Sequence, residues 1–290
     1  MFTPVWVNPA FKLPTEPFYQ RPILCFAFLA DAKGRAFGNP HPIWESFFEK
    51  AKADGLPFKI IIHTKKETSD YWRQYKHPAP VETSWERTIN AHRLLIEFAN
   101  ENECDKTIFL SETCIPVQSP IKVWDALSRT DKTILSGVHK QDAAGIFKHF
   151  NYPLSLFKAN DWFKAEQWGI IDKQHYKLYF ETKIAELFKG SKADNEAYLI
   201  ALLRTANESK NVLAYSKNGK QAAHFAMWLE NQAHPFYFLT KEDIQKHKNE
   251  RTYDNGSMRE FDQRRFDEFI SNGCLFFRKF EHNVTPSIDL

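Results

Sequence analysis

Two short runs near the start of the chain are apolar at almost every position. Residues 23–30 (ILCFAFLA) and Phe58–His63 (FKIIIH) are typical of strands that are covered on both faces. Between them, residues 42–54 carry apolar side chains at helical spacing, and Gly55 follows where such a helix would end. A strand, a helix and a second strand in this order predict a parallel sheet with a right-handed crossover.

Strands and helices continue to alternate as far as residue 138. Thr83 and Glu86 form the T-x-x-E pattern of a capping box, which predicts that a helix starts there. The other elements predicted in this part are the rest of that helix to about residue 100, a strand at 108–110, a helix at 120–129 after Ser119 and a strand at 134–138. This alternation predicts an α/β fold with a mostly parallel central sheet flanked by helices.

The pattern changes after residue 138. The elements predicted there are an irregular aromatic excursion at 140–161, a helix at 172–188, a helix at 195–205 with Asp194 as its N-cap, a strand at 212–215, a turn-rich loop at 250–256, an amphipathic helix at 258–271 and a terminal strand at 274–280. We interpret residues 1–290 as a single domain. It has an extended arm at 1–21, a nucleotide-binding half at 22–138 and an acceptor or catalytic half at 139–290.

Composition narrows the classes of function. The net charge is +3, from 39 basic and 36 acidic residues, which argues against general nucleic-acid binding. The 26 phenylalanines are expected mostly to fill the core, with a sugar or base pocket as the alternative for some of them. The four cysteines form no C-x-x-C pair, which excludes a zinc ribbon or a thioredoxin motif. No run is long enough to span a bilayer and no signal peptide is recognisable, so we expect a soluble, cytoplasmic chain without a transmembrane segment.

Ligands of open α/β sheets bind beyond the carboxyl ends of the strands. Here those ends are followed by Asp31, by His63 and by Ser111-Glu112-Thr113. The glycine-rich dinucleotide and phosphate loops, the serine-hydrolase elbow and the H-E-x-x-H zinc motif are all absent. A D-x-D triplet, which would hold a divalent cation against a diphosphate, is replaced after Leu110 by a single carboxylate.

Two charged segments offer alternatives to a metal site. The triplet Asp194-Asn195-Glu196 resembles D-x-E, but it stands at a predicted helix start, where Asp194 acts as a cap and Glu196 as a first-turn residue. Arg278 and Lys279 end the last predicted strand and could neutralise a leaving diphosphate, or form an ordinary charged strand end. We therefore expect no metal site.

Taken in order, several segments resemble the core-2/I-branching glycosyltransferases, which include β-1,6-N-acetylglucosaminyltransferases and peptide O-xylosyltransferases. The segments that carry this resemblance are ILCFAFLA at 23–30, PIWESFF at 42–48, FKIIIH at 58–63, SWERTINAHRLL at 84–95, FLSETCIPV at 109–117, AEQWGII at 165–171, NEAYL at 195–199, AHPFYF at 233–238 and CLFFRKF at 274–280. FLSETCIP and LFFRKF are the most specific of them.

The resemblance implies a GT-A-like fold and an inverting transfer from a UDP-sugar without metal or cofactor. It implies that Glu196 is the general base and that Lys279, with its neighbour Arg278, stabilises UDP. It also implies that His63 approaches the uridine, and that the segments holding Glu112 and Trp168 line the donor and acceptor cleft. The donor-binding set is completed by Ser111.

The chain departs from the family pattern in three places. Thr64 and Lys65 stand where the family often has an aspartate. No arginine is present at 233–238, so Arg278, Arg264 or Arg265 would have to replace it in binding the diphosphate. The N-terminal membrane anchor of many members is not recognisable.

Other interpretations of the same residues stay open. Glu196 can be a first-turn glutamate favoured by the helix dipole, Trp168 a core ring and His63 a solvated loop residue. For function, the sequence predicts a metal-independent inverting glycosyltransferase. It would move N-acetylglucosamine or xylose from a UDP-sugar to a glycan or protein acceptor. The alternatives are a non-catalytic nucleotide- or glycan-binding protein on the same fold and a protein-interaction module.

Overall fold

The fold was analysed in a computed structural model of the chain. The residues that it describes are 21–30, 37–84, 87–139, 151–156, 162–165, 167–208, 211–216, 224–226, 237–239, 258–260, 263–264, 267, 271 and 274–288. Most of the expected N-terminal arm, most of the excursion at 140–161 and the loop at 250–256 lie outside these ranges.

The secondary structure follows the predicted alternation closely in the first half of the chain. The elements in chain order are β1 (Leu24–Leu29), α1 (Ile43–Ala53), β2 (Phe58–His63), α2 (Asp70–Arg73), α3 (Ile89–Glu101), β3 (Lys106–Ser111), β4 (Ile115–Pro116), α4 (Pro120–Ser128), β5 (Thr133–His139), a 3-10 turn (Leu154–Leu156), β6 (Trp162–Ala165), β7 (Ile170–Asp172), a 3-10 helix (Lys173–Phe180), α5 (Thr182–Leu187), α6 (Asp194–Thr205), β8 (Val212–Ser216), β9 (His224–Ala226), β10 (Tyr237–Leu239), β11 (Met258–Glu260) and β12 (Phe276–Arg278).

A seven-stranded sheet forms the centre, in the order β2-β1-β3-β7-β5-β6, with β8 paired to β5. Strands β1, β2, β3, β5 and β8 run in one direction, whereas β6 and β7 run in the opposite one. The expected α/β class, with a mostly parallel sheet flanked by helices, is therefore confirmed. Strands from both predicted halves of the chain contribute to this one sheet.

Both faces of the sheet are covered, as the continuous apolar runs predict. Along β1, Leu24, Phe26 and Phe28 belong to one core cluster with α1 and α4. Cys25 and Ala27 point to the other face, where the cluster includes residues of α3 and α6. Such two-sided burial is what makes the strands of parallel sheets apolar at every position.

Aromatic rings fill much of the core on the α1 face. The ring of Phe26 lies 5.0 Å from that of Phe48 and 5.6 Å from those of Trp44 and Trp124, measured between centroids, with edge-on or tilted geometry. Phe276 of the last strand joins the same group at 6.5 Å. These contacts support the expectation that the abundant phenylalanines mostly build the core.

Helix α3 starts later than the T-x-x-E pattern predicts. Its first residue is Ile89, and Ser84 and Arg87 instead exchange two backbone hydrogen bonds in a tight turn. That turn uses the backbone groups that a capping box at Thr83 would serve, so the helix begins only after it. Glu86, the other half of the predicted box, lies outside the described residues.

Two other predicted helices also differ. The helix predicted at 172–188 is a 3-10 helix up to Phe180, followed by α5. The helix predicted from Met258 begins as β11, because Met258–Glu260 pairs in parallel with Tyr237–Leu239. A distant strand overrides the local helical spacing there. Helical backbone is described further along, at 263–264, 267 and 271.

A small sheet in the order β4-β12-β9 brings the end of the chain to the central sheet. Strand β12 pairs antiparallel with β4, with Phe277 opposite Ile115, and the N–H of Phe280 donates to the carbonyl of Thr113 at 2.9 Å. The expected terminal strand is thus present, and it lies directly beside the turn that follows β3.

Polar side chains are buried at the opposite, amino-terminal edge of the sheet. Lys106 forms an ion pair with Asp172 at 2.5 Å, and the Lys106 side chain is only 3% exposed. The hydroxyl of Thr133 accepts from the backbone N–H of Asp172 at 3.0 Å and lies 2.7 Å from Nδ1 of His175. This network fixes β3, β5 and β7 to one another. No helix among the described residues is long and apolar enough to cross a membrane.

Candidate functional site

The carboxyl ends of the three parallel strands lie at the same level. Leu29, the last residue of β1, is in register with His63 of β2 and with Ser111 of β3. The expected convergence of the ends of β2 and β3 is therefore confirmed. Gly38 fits closely against this edge, because a Cβ there would lie 2.2 Å from Oγ1 of Thr64.

His63 is buried at the end of β2, with 2% of its surface exposed. Its Nε2 lies 3.1 Å from the carbonyl of Val81, so this nitrogen donates its proton to that oxygen. Burial lowers the pKa of His63, because the charged imidazolium is poorly solvated there. In this arrangement the ring is neutral and faces the 81–84 segment, and a contact with a uridine remains a prediction.

The turn after β3 is tied together by its own side chains. The hydroxyl of Ser111 lies 3.0 Å from that of Thr113 and 3.2 Å from the sulfur of Cys114. Glu112 is half-buried, and its backbone carbonyl accepts from Nε2 of His282 at 3.4 Å. The turn therefore presents one carboxylate, on Glu112, at the edge where a ligand would bind.

Arg278 brings positive charge to this turn. The antiparallel register of β12 and β4 places Arg278 beside Cys114, whose pKa is raised by burial and lowered in part by the charge of Arg278. The guanidinium carbon lies 4.7 Å from the ring centroid of Trp168, which is cation–π distance. Its Nε is buried and has no hydrogen-bond partner among the described residues. Lys279 follows, half-buried, at the end of the strand.

Trp168 lies just before β7 and is only 4% exposed. Because the guanidinium of Arg278 covers one face of its ring, that face is not open to a sugar in this arrangement. The structure thus brings Trp168 and Arg278 together, and a sugar-stacking role for Trp168 stays a prediction that requires Arg278 to move.

Glu196 lies half-buried in the first turn of α6, after an unusual backbone conformation. Ala193 adopts the left-handed region, with φ 45° and ψ 49°, which is unfavourable for a residue with a Cβ. Its carbonyl accepts from the hydroxyl of Tyr152 at 2.9 Å and from the N–H of Glu196 at 3.1 Å. Burial raises the pKa of Tyr152, and the nearby charges of Glu196 and Asp194 raise it further.

The first turn of α6 is also joined to the Trp168 segment. The side-chain amide of Asn195 donates to the side-chain oxygen of Gln167 at 3.1 Å. Glu196, Trp168, Arg278 and the turn after β3 thus form one connected region at the carboxyl edge. Sequence reasoning missed Gln167 and Tyr152, because neither belongs to a motif.

Asp194 differs from the sequence expectation. It was predicted to be the N-cap of α6, but it is the first helical residue, and Ala193 occupies the cap position. Its Oδ1 accepts from the N–H of Thr88, just before α3, at 2.9 Å as well as from the N–H of Asn195 at 2.8 Å. The carboxylate therefore serves two helix starts rather than one.

His92 lies behind this region, where its ring meets that of Phe109 at 4.4 Å between centroids. Its Nδ1 donates to the carbonyl of Thr88 at 3.0 Å. A small cavity adjoins it, lined by polar His92, Gln167 and Asn195 and by apolar or aromatic Phe109, Leu135, Ala165, Gly169, Ile171, Tyr179, Tyr198 and Leu199. Burial lowers the pKa of His92 to about 4, and the neighbouring His63 adds to the lowering.

Protonation of His92 should therefore make the protein less stable in mild acid. The pKa of about 4 in the folded chain lies below the ordinary value of about 6.5, so unfolding takes up a proton. The contribution is complete above about pH 6.5 and is lost as the pH falls towards 4, by about 3 kcal/mol in total. Urea unfolding at pH 7 and pH 4 measures it, and in His92→Gln the difference should shrink by about this amount.

Phe109→Leu is the control for this prediction. It disturbs the packing against the His92 ring but leaves the titrating group in place, so it should lower stability similarly at both pH values. An unchanged pH difference in His92→Gln would contradict the assignment to His92.

Within the described ranges, no three histidine, cysteine, aspartate or glutamate side chains are grouped so that they could hold a metal ion. The four cysteines are buried and free, as expected for Cys25 and Cys274.

The sequence matches no protein-family model and no curated protein. Two solved structures show weak likenesses. The crystal structure of A197 from STIV is 8% identical, with 67% of this chain and 82% of that chain covered and a TM-score of 0.32. The apo structure of the bifunctional glycosyltransferase WbbM is 9% identical, with 90% of this chain and 46% of that chain covered and a TM-score of 0.40. Likenesses this weak establish neither a fold family nor a function.

Proposed function

We propose that this protein is a glycosyltransferase with a GT-A-like fold and the chemistry of the core-2/I-branching family. It transfers N-acetylglucosamine or xylose from a UDP-sugar to a hydroxyl of a glycan or protein, with inversion and without a metal ion. The observation that carries the proposal is Arg278. This cation is held at the carboxyl edge of the parallel strands, and its buried Nε lacks a hydrogen-bond partner among the described residues.

Each charged residue of the region has a role in this reaction. Glu196 takes the proton of the acceptor hydroxyl while the oxygen of that hydroxyl forms its bond to the anomeric carbon. The bond from the anomeric carbon to the diphosphate breaks on the opposite side, and UDP leaves with the electron pair. Arg278 and Lys279 neutralise the charge that develops on the diphosphate.

The alternative is a nucleotide- or glycan-binding protein without turnover on the same fold. The burial of two proposed ligand contacts favours it, since His63 is 2% and Trp168 4% exposed. Both proposals require UDP to bind, so turnover separates them. A protein-interaction module would bind no UDP.

Binding of UDP is the first test, measured by titration calorimetry. Arg278→Ala should weaken it about 10- to 150-fold, because a hydrogen bond to a charged group contributes about 1.5–3 kcal/mol. The second test is release of UDP from a panel of UDP-sugars, with and without EDTA.

Arg73→Ala is the matched control, because Arg73 is exposed and pairs only on the surface with Asp70 at 2.8 Å. It should leave UDP binding unchanged. Failure of the wild-type protein to bind UDP would sink both proposals, and loss of turnover in EDTA would sink metal independence.

A further inference from the structure

The N-termini of α3 and α6 meet at one buried carboxylate. Asp194 is 7% exposed, and its Oδ1 accepts from the N–H of Thr88 at 2.9 Å and from the N–H of Asn195 at 2.8 Å. The start of α3 has no cap from the side chain of Thr88 itself. A residue of α6, distant in sequence, therefore supplies the capping acceptor for α3.

The electrostatics of this junction favour a charged acceptor against the cost of burial. Burial raises the pKa of Asp194, whereas the backbone N–H groups of Thr88, Asn195 and Ile89 and the charge of Arg87 act to lower it. The positive ends of two helix dipoles also point at the same carboxylate. The junction is thus a specific contact between two helices rather than a surface cap.

Two further bonds hold the same turn from other directions. The hydroxyl of Tyr152 donates to the carbonyl of Ala193, and the amide of Asn195 donates to Gln167. With Asp194 bonded to Thr88, three consecutive residues before Glu196 are each fixed to a different segment. This explains how Ala193 is kept in a left-handed conformation that an isolated chain would avoid.

We propose that Asp194 is a positioning residue, which holds the first turn of α6 against α3 and so fixes the backbone that carries Glu196. This inference rests on the proposed role of Glu196 as general base. Asp194 touches no reacting atom. It acts by keeping the carboxylate of Glu196 at the distance and angle that proton transfer needs, and small displacements of such a group are costly to rate.

Two substitutions of Asp194 separate its acceptor oxygen from its charge. Both hydrogen bonds end on Oδ1, so Asp194→Asn keeps an acceptor for each, whereas Asp194→Ala removes both. Asp194→Ala should lower kcat about 100-fold, the loss typical of a misplacement of about 1 Å, with little change in the KM for the donor. Asp194→Asn should recover most of that loss. UDP affinity should be unchanged in both variants, and hydrogen exchange should rise at the first turns of α3 and α6 in Asp194→Ala.

Thr107→Val controls for a general loss of stability. It removes the buried hydrogen bond from Thr107 to the hydroxyl of Tyr176, 2.7 Å long, at the other edge of the sheet. It should lower Tm without lowering kcat. An unchanged kcat in Asp194→Ala, or a loss in Thr107→Val that matches its loss of Tm in the same proportion, would overturn the positioning role.

The proposed function can fail separately. If the wild-type protein releases UDP and Glu196→Gln stops it, but Asp194→Ala does not, only the positioning role falls. If Glu196→Gln keeps full activity, the base has been misassigned and the positioning role falls with it. If the wild type shows no turnover on any donor, the proposed function fails first.

Discussion

Replacing Glu196 by glutamine is expected to lower kcat about 10²- to 10⁴-fold, the usual contribution of a general base. Glutamine keeps the size of the side chain but cannot take the proton of the acceptor hydroxyl. Because the proposed diphosphate contacts come from β12 and not from α6, UDP affinity should stay as in the wild type. Release of UDP under saturating donor and acceptor measures the first effect, and calorimetry measures the second.

Glu97→Gln provides the matched comparison, since Glu97 is an exposed carboxylate on α3. It should have full activity. Wild-type rates in Glu196→Gln would remove Glu196 from the mechanism. Loss of UDP affinity in the same variant would instead indicate that α6 helps to bind the donor.

Lys106→Met is expected to destabilise the fold by about 3–5 kcal/mol, because it leaves the buried carboxylate of Asp172 without its cation. Asp172 keeps a bond from the N–H of Gln174 to its other oxygen, but that bond does not supply a charge. The methionine side chain fills a similar space, so loss of packing should contribute little. The midpoint of urea unfolding at pH 7 measures the effect.

The neighbouring pair of Lys173 and Asp105, 2.7 Å apart, offers a direct comparison. The Lys173 side chain is 62% exposed, and the loss of a pair exposed to solvent typically costs less than about 1 kcal/mol. Lys173→Met should therefore change the midpoint only slightly. Equal effects of the two substitutions would show that burial of Lys106 does not govern the stability of this edge.

The first half of the fold could be predicted because each element has a strong local signal. The apolar runs at β1 and β2 extend over whole strands. In α1, all five apolar residues of the predicted stripe are buried, and Gly55 ends the helix with φ +65°. Local pattern and tertiary structure agree here, so reading the pattern was sufficient.

The misjudged elements depend on partners that are distant in sequence. Nothing near Ile89 shows that α3 starts there, because its capping acceptor is Asp194, more than a hundred residues later. The spacing at Met258–Glu260 is equally compatible with a helix, and pairing with Tyr237–Leu239 decides for a strand. Single-sequence patterns carry no information about such pairings.

The candidate site shows the same division. The order of the strands predicts that His63 and Ser111 come together at one edge, and they do. The sequence could not show that His63 is buried under Val81, or that Arg278 covers the ring of Trp168. Those placements come from packing between segments far apart in the chain, and they determine which groups a ligand can reach.

The three-stranded sheet of β4, β12 and β9 has a consequence for the newly made protein. Strands β1, β2 and β3 can pair as soon as residue 111 has left the ribosome, but β4 then has an unpaired edge until residues 276–280 follow. Unpaired strand edges are sites of aggregation during synthesis. A growing chain therefore gains the cation at the carboxyl edge and the cover for that vulnerable strand at the same moment, so an unfinished chain can be neither active nor fully protected.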